Sequence, residues 1–189
     1  MIRSVVLLCL ALALAACSGL GMGSKGPPSP VETRLAATAR FAQLLQAGRP
    51  AIQVAVEEEE TDTVALREVS RGEVDTFVTT DGVALNLRRG FLVGTAGLGG
   101  DMTGSSITES IALVTSRRSG TAQRFHTFLN GENQAVTRAY VCVVASRGGR
   151  SVSLGTRAGQ LVEVDTVLIE ERCKSLDQEF TNLYWLRQG

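Results

Sequence analysis

Val74-Asp75-Thr76-Phe77-Val78-Thr79-Thr80-Asp81-Gly82-Val83-Ala84-Leu85-Asn86-Leu87-Arg88 is the stretch that decides the fold class. Apolar and polar side chains alternate on both sides of Asp81-Gly82. A D-G pair between two alternating runs is a strong short-range signal for a β-hairpin. The same period of two extends outward in both directions. Toward the N-terminus, Ile52, Val54 and Val56 alternate with Gln53 and Ala55, and Val64, Leu66 and Val69 form a second segment. Toward the C-terminus, Phe91 to Thr95, Ile111 to Thr115, Arg124 to Asn130 and Ala135 to Ala145 read as strands. Gly131-Glu132-Asn133-Gln134 is the turn between the last two. Ser151 to Leu154 and Gln160 to Glu170 read as a further hairpin. No second helical pattern separates these short strands. The expectation is an all-β fold, an antiparallel β-sandwich or an open β-barrel.

One helix precedes the strands. Ser29 is placed to be its N-cap, Pro30 its first helical residue and Glu32 the reciprocal partner of a capping box. Leu35, Ala39, Ala42 and Leu45 recur at helical spacing, and Gly48 and Pro50 end the segment. This amphipathic helix, about residues 30–47, is expected to pack on the β body. All four prolines lie in the first fifty residues. The chain of 189 residues is 44% hydrophobic and 20% charged. That is enough for one domain with its own core. Nineteen basic residues balance nineteen acidic ones, so bulk charge does not steer the chain to nucleic acid.

The N-terminus reads as an export signal. Arg3 starts a short basic region, Val5 to Leu14 is apolar, and Ala15-Ala16 are small. The run is too short to span a membrane. It ends Leu14-Ala15-Ala16-Cys17-Ser18, which resembles the bacterial lipobox. Residues 1–16 are then a lipoprotein signal peptide and Cys17 is the lipidated first mature residue. Ser18 stands where an aspartate would retain the protein on the inner membrane. In a Gram-negative cell this implies the periplasmic face of the outer membrane. Acyl chains, at about 0.8 kcal/mol per buried CH₂, make such an anchor long-lived. Residues 17–29 are a flexible tether, and residues 30–189 form a single β-rich domain. Cys9 leaves with the signal, so Cys142 and Cys173 remain as a pair in an oxidising compartment. A disulfide between them is expected, worth about 3–4 kcal/mol in the chain-entropy model. Two sulfurs and the single histidine, His126, fall short of a structural zinc shell.

No motif singles out a reaction. Gly94-Thr95-Ala96-Gly97-Leu98-Gly99-Gly100-Asp101 lacks the Lys-Ser/Thr ending of a phosphate cradle. It reads as a loop with positive φ or close backbone approach, with Thr95, Gly97 and Asp101 as candidate binding residues. His126 has no G-x-S-x-G elbow to serve. Asp75, Asp81, Asp101 and Glu109 offer no spacing that marks a pair of catalytic carboxylates. The acidic run Glu57 to Glu60 reads as a solvated turn or edge. Seven arginines (117, 118, 124, 138, 147, 150 and 157) stand against one acid, Glu132. Arg117, Arg118, Arg124 and Arg138 are candidates for an anionic polysaccharide, because guanidinium forks match carboxylates. Such binding weakens with salt, exposed charges being screened beyond roughly 8 Å at physiological strength. Tyr184 and Trp185 could stack on sugar rings, although aromatic clusters more often fill cores.

The lipobox, the helix, Arg89-Gly90-Phe91-Leu92-Val93-Gly94-Thr95-Ala96-Gly97-Leu98-Gly99-Gly100-Asp101-Met102 and Phe180-Thr181-Asn182-Leu183-Tyr184-Trp185 together resemble the YjbF/GfcB lipoproteins. The resemblance covers most of the mature chain. It implies an all-β fold and brings no established enzymatic activity; no cofactor is expected. It also implies an accessory role in exopolysaccharide or group 4 capsule assembly and export. Implied partners are a co-encoded periplasmic protein and an outer-membrane β-barrel. One departure stands out. The family pattern continues past Tyr-Trp into a further strand, whereas this chain stops at Gly189, so that either the last strand is missing here or the gene model is short; losing that strand would expose a sheet edge. Two other readings remain, a periplasmic carrier of lipid or glycolipid and a polysaccharide-modifying hydrolase. The second needs facing carboxylates or a serine near His126.

Overall fold

A computed structural model describes residues 29–56, 61–132, 134–156 and 159–188. The signal peptide, Cys17, most of the tether, the Glu57–Glu60 run and Arg157 lie outside the described residues. The chain divides into two compact units, Met1–Leu35 and Ala36–Gly189. Helix α1 (Pro30–Gln46) begins in the first. Its start follows the capping-box reading. The Ser29 amide donates to Glu32 Oε2 at 2.8 Å, and the Glu32 amide donates to Ser29 Oγ at 3.3 Å. Its end is a Schellman motif, in which the amides of Gly48 and Arg49 donate to the carbonyls of Leu45 and Leu44.

No residue of α1 is buried, and Leu45 is exposed. In the second unit the half-buried residues of the helix are Ala37, Phe41 and Leu44, which share one face, and Ala37 lies against Gly82. Polar contacts add to this face. Arg40 makes a two-pronged ion pair with Glu68, and the Thr38 hydroxyl donates to the Thr80 carbonyl.

The second unit is two five-stranded antiparallel sheets. The first has the order β1 (Ala51–Val56), β2 (Thr61–Arg71), β3 (Val74–Val78), β4 (Ala84–Arg88) and β5 (Phe91–Ala96). The second runs β10 (Glu179–Arg187), β9 (Leu161–Lys174), β8 (Ala135–Gly155), β7 (Gly120–Leu129) and β6 (Met102–Ser106). This is the expected all-β class. The D-G hairpin is β3–β4, closed by the Thr79 amide donating to the Val83 carbonyl. The Gly131–Gln134 turn is organised by Asn130, whose Oδ1 accepts from the amides of Glu132 and Gln134.

Three readings need correction. Ile111 to Thr115 is not a strand. It belongs to helix α2 (Thr108–Thr115), which turns Ile107, Ile111 and Val114 into the core. Second, the end of Ala135–Ala145 and the start of the next hairpin are one strand. β8 runs 21 residues through a bulge between Ser146 and Gly149, with Gly148 at φ 82°. Third, two strands escaped the pattern, β6 and β10.

The core joins the sheets through α2. Phe91, Ile107, Ile111, Val114, Val144 and Ile169 pack together, with Tyr184 and Leu186 alongside. A second cluster is Ala122, Tyr140 and the Cys142–Cys173 disulfide, the two cysteines lying directly opposite in the β8–β9 ladder. Burying several aliphatic and aromatic side chains here contributes about 1.5–3 kcal/mol each.

Candidate functional site

The inner face of the second sheet turns from apolar to polar along β7, and the period of two explains which side chains meet there. Ala122, Arg124 and His126 point inward; Gln123 and Phe125 point out. On β8, Tyr140, Cys142 and Val144 share that face. On β10, Phe180, Asn182 and Tyr184 do so, while Trp185 is exposed on the other side.

Arg124 and Glu171 form the polar centre. Both are buried, 3% and 0% exposed, with Arg124 Nη1 donating to Glu171 Oε2 at 2.7 Å. The same oxygen accepts from Asn182 Nδ2 at 3.0 Å and from the Tyr184 hydroxyl at 2.8 Å. Burial pushes the Glu171 carboxyl up. The Ser110 hydroxyl, Asn182, the Arg124 charge and Tyr184 outweigh it and hold the group below the usual carboxylate range. The Tyr184 phenol is pushed up by burial and by the neighbouring carboxylate. Three strands, β7, β9 and β10, are thus tied at one carboxylate.

His126 sits in an aromatic cage. Its ring centroid is 5.5 Å from Phe180, 5.0 Å from Tyr140 and 6.0 Å from Phe128. Burial, with the Arg124 charge, pulls its pKa down to about 4, against a smaller opposing effect of Glu171. The imidazole is therefore neutral at pH 7. Its Nε2 is buried without a hydrogen-bond partner, as is Nε of Arg124.

These groups line a cleft of about 390 Å³. Its apolar walls are Leu92, Leu98, Met102, Phe128, Tyr140 and Phe180. Arg124, His126, Gln178 and Asn182 supply polar groups. The Gly94–Asp101 loop forms its rim through Thr95, Leu98 and Gly100. Asp101 holds that loop, accepting from the amides of Gly97 at 2.9 Å and Leu98 at 3.0 Å. Those bonds, the Leu98 amide first, and the Thr95 hydroxyl hold the Asp101 carboxyl below its ordinary range. Gly97 is at φ 98°, where a side chain would be strained. At Gly94 a Cβ would stand 3.2 Å from the Met102 carbonyl oxygen. Both readings of the glycine loop, positive φ and close approach, apply.

The candidate arginines do not form one face. Arg124 is inside the cleft. Arg138 lies at its mouth, donating to Gln178 Oε1 at 3.0 Å and facing Asp177 at 3.7 Å. Arg117 closes the Schellman motif of α2 at φ 57° and donates to the Arg187 carbonyl. Arg118 donates to Ser116 Oγ, and Arg147 pairs with Glu170.

The requirements of hydrolysis are met only in part. The β6–β7 register sets Ser105 opposite His126. Yet Ser105 Oγ and His126 Nε2 are each unpartnered, so no Ser–His hydrogen bond exists. Glu171, the carboxylate whose charge acts on the imidazole, is bonded to Arg124. Glu171 also lies close to Cys142 and Cys173, with ligand atoms within 4.8 Å of one another. Sulfurs joined in a disulfide offer no thiolate to a metal.

Sequence reasoning missed Glu171, Asn182, Gln178 and Phe180. Glu171 lies in the charged run Glu170-Glu171-Arg172, where period alone could not separate the buried acid from its exposed neighbours. Inward alternation along a correctly placed β10 would have found the other two on that strand.

Comparison with known proteins extends the picture. The fold is similar to the crystal structure of the hypothetical lipoprotein YmcC from Escherichia coli (K12). The TM-score is 0.62 at 14% identity, covering 86% of this chain and 84% of that one. No curated protein sequence matches. The family model for "Group 4 capsule polysaccharide lipoprotein gfcB, YjbF" matches residues 29–189. That span contains the glycine loop, the β10 aromatics and every residue of the cleft, and with it the chain belongs to the YjbF family of group 4 capsule polysaccharide lipoproteins.

Proposed function

We propose that this protein is an outer-membrane lipoprotein with a non-catalytic accessory role in exopolysaccharide or capsule assembly and export. In this reading Cys17 carries the lipid, and the β body hangs at the periplasmic face of a Gram-negative outer membrane. A co-encoded periplasmic protein and an outer-membrane β-barrel are its partners. One observation carries the non-catalytic part. Neither basic group of the cleft is free to do proton transfer: Arg124 is ion-paired with Glu171, and burial keeps His126 neutral. General acid–base work needs a proton donor or acceptor poised near working pH and held on a reacting partner. A histidine titrating near 4 with no hydrogen-bond partner at Nε2 is built to line a binding surface.

The test is deletion of the gene under conditions that induce polysaccharide production. Secreted polymer should fall, and the wild-type gene should restore it. A Cys17→Ser version should restore it poorly, because the domain leaves the membrane. Unchanged polymer in the deletion strain refutes the role. The apolar walls of the cleft give the lipid-carrier reading its own observation. Acyl chains in organic extracts of purified protein would support that reading.

A further inference from the structure

We propose that the cleft between the Gly94–Asp101 loop and the inner face of β7, β8 and β10 holds an uncharged sugar ring of the exported polymer. This rests on the accessory role above and names what the site recognises. Two features argue for a hydroxylated ligand. Arg124 Nε and His126 Nε2 are buried and unpartnered, in residues only 3% and 7% exposed that line the cleft. Both atoms lie beneath the surface of the cleft, so an acyl chain leaves them unsatisfied, at about 1–3 kcal/mol each, whereas a hydroxylated ring toward which the two side chains shift satisfies them. The walls of Phe128, Tyr140 and Phe180 suit the C–H face of a pyranose, as rigid aromatic surfaces bury apolar area at small entropic cost.

Charge argues against an anionic sugar. Arg124 is already bonded to Glu171 at 2.7 Å, and Arg138 faces Asp177 and donates to Gln178. His126 is neutral. A uronate would enter a cleft with no uncompensated positive charge among its lining residues and would lose its hydration there. At about 390 Å³ the cleft is at the small end of ligand pockets, roughly 300–1,000 Å³. That suits one segment of a chain that passes through.

His126 is the protein's single histidine, so its ring C–H signals in proton NMR report on the cleft without assignment. The full-length protein is titrated with neutral hexa-oligosaccharides of glucose, galactose and mannose, with tri-galacturonate, and with lauric acid. At least one neutral oligosaccharide should shift the His126 signals saturably. Its affinity should change little when salt is raised about threefold above physiological strength. Phe180→Leu should weaken binding by about tenfold, and Gln178→Ala should weaken it measurably. Trp185→Ala, on the outer face, should leave it unchanged.

Four results overturn the inference: a shift only with galacturonate that fades with salt; a shift only with lauric acid; no shift with any probe; or loss of binding in Trp185→Ala. If deletion abolishes secreted polymer but no neutral sugar binds, the ligand assignment fails and the accessory role stands. If a neutral sugar binds but deletion changes nothing, the role fails and the binding site stands.

Discussion

Acid should destabilise this protein earlier than its carboxylates alone would allow, and His126 is the reason. In the fold the imidazole takes up a proton near pH 4, and in the unfolded chain near 6.5. A depressed histidine favours the fold while it stays neutral. Its contribution is complete above about pH 6.5 and is lost as pH falls toward 4. Between pH 7.5 and pH 5 the unfolded chain gains a proton that the fold does not bind, which by linkage costs about 2 kcal/mol. Glu171 and Asp101, held below their ordinary range, lose their contributions only at lower pH. The window from 5 to 7.5 therefore isolates the histidine. The assay is urea denaturation followed by circular dichroism at both pH values, for wild type and His126→Gln. Glutamine keeps a polar head but cannot titrate. Wild type should lose about 2 kcal/mol more than the variant across the window. Arg124 and Glu171 face the ring and are common to both proteins. Equal losses in the two proteins would show that the imidazole protonates freely in the fold, and the account of its burial would be wrong.

Arg124→Met leaves Glu171 buried without its cation and should cost about 3–5 kcal/mol in denaturant titrations, whereas Arg124→Met with Glu171→Leu should recover much of that loss. Replacing Cys142 and Cys173 by alanine opens a loop of sequence separation 31 and should lower stability by about 3.5–4 kcal/mol; a thermal scan of the variant against oxidised wild type measures it. Asp101→Ala frees the amides of Gly97 and Leu98, so their hydrogen exchange should speed up while that of Cys142 in the disulfide ladder does not. The end of the β8–β9 hairpin, Val152 to Gly155 against Leu161 to Val164, should exchange faster than Cys142 to Ala145. It pairs as a two-stranded ribbon with Leu154 and Leu161 exposed, and an isolated ribbon is marginal.

The β-hairpin, the first five strands and α1 were legible because each carries its own local signal. Alternation sets β3 and β4, the Asp81-Gly82 turn joins them, and Ser29, Glu32 and Gly48 bracket the helix. Helix α2 was misread because its ends are unconventional. Ile107 stands at the N-cap with no side-chain hydrogen bond, and Arg117 fills the left-handed seat where glycine is usual. What remained was Ile111-Ala112-Leu113-Val114-Thr115, a short apolar run that strand and buried helix share. β6, Met102-Thr103-Gly104-Ser105-Ser106, has little alternation because two of its residues serve the register shift opposite β7. The strand pattern breaks between Ala145 and Ser151, where Ser146 to Gly149 is a bulge within one strand, with Gly148 at φ 82°. The cleft was half legible. Thr95, Arg124 and the glycine loop stood out by residue type, but Glu171 could not, because a buried acid is defined by partners distant in sequence.

The same partners determine how the cleft can work. Three separate ties hold its walls. Asp101 pins the rim loop by two backbone amides. The Cys142–Cys173 bond staples β8 to β9 behind Tyr140 and Phe180. Glu171 gathers Arg124 from β7 and Asn182 and Tyr184 from β10. A buried ion pair is a poor investment for stability alone, since apolar residues of the same volume often do as well. Here it does something an apolar pair could not. It places a guanidinium at the cleft with its charge already spent, leaving an N–H to offer and no net charge to attract anions. A ligand entering such a site orders little protein, so the small contact area of a single sugar ring is not offset by the entropy of closing a loop. The exposed ribbon at the far end of β8 and β9 has none of these ties. Rigidity concentrates where the polar groups are unsatisfied, and that coincidence is the strongest physical reason to look for the ligand there.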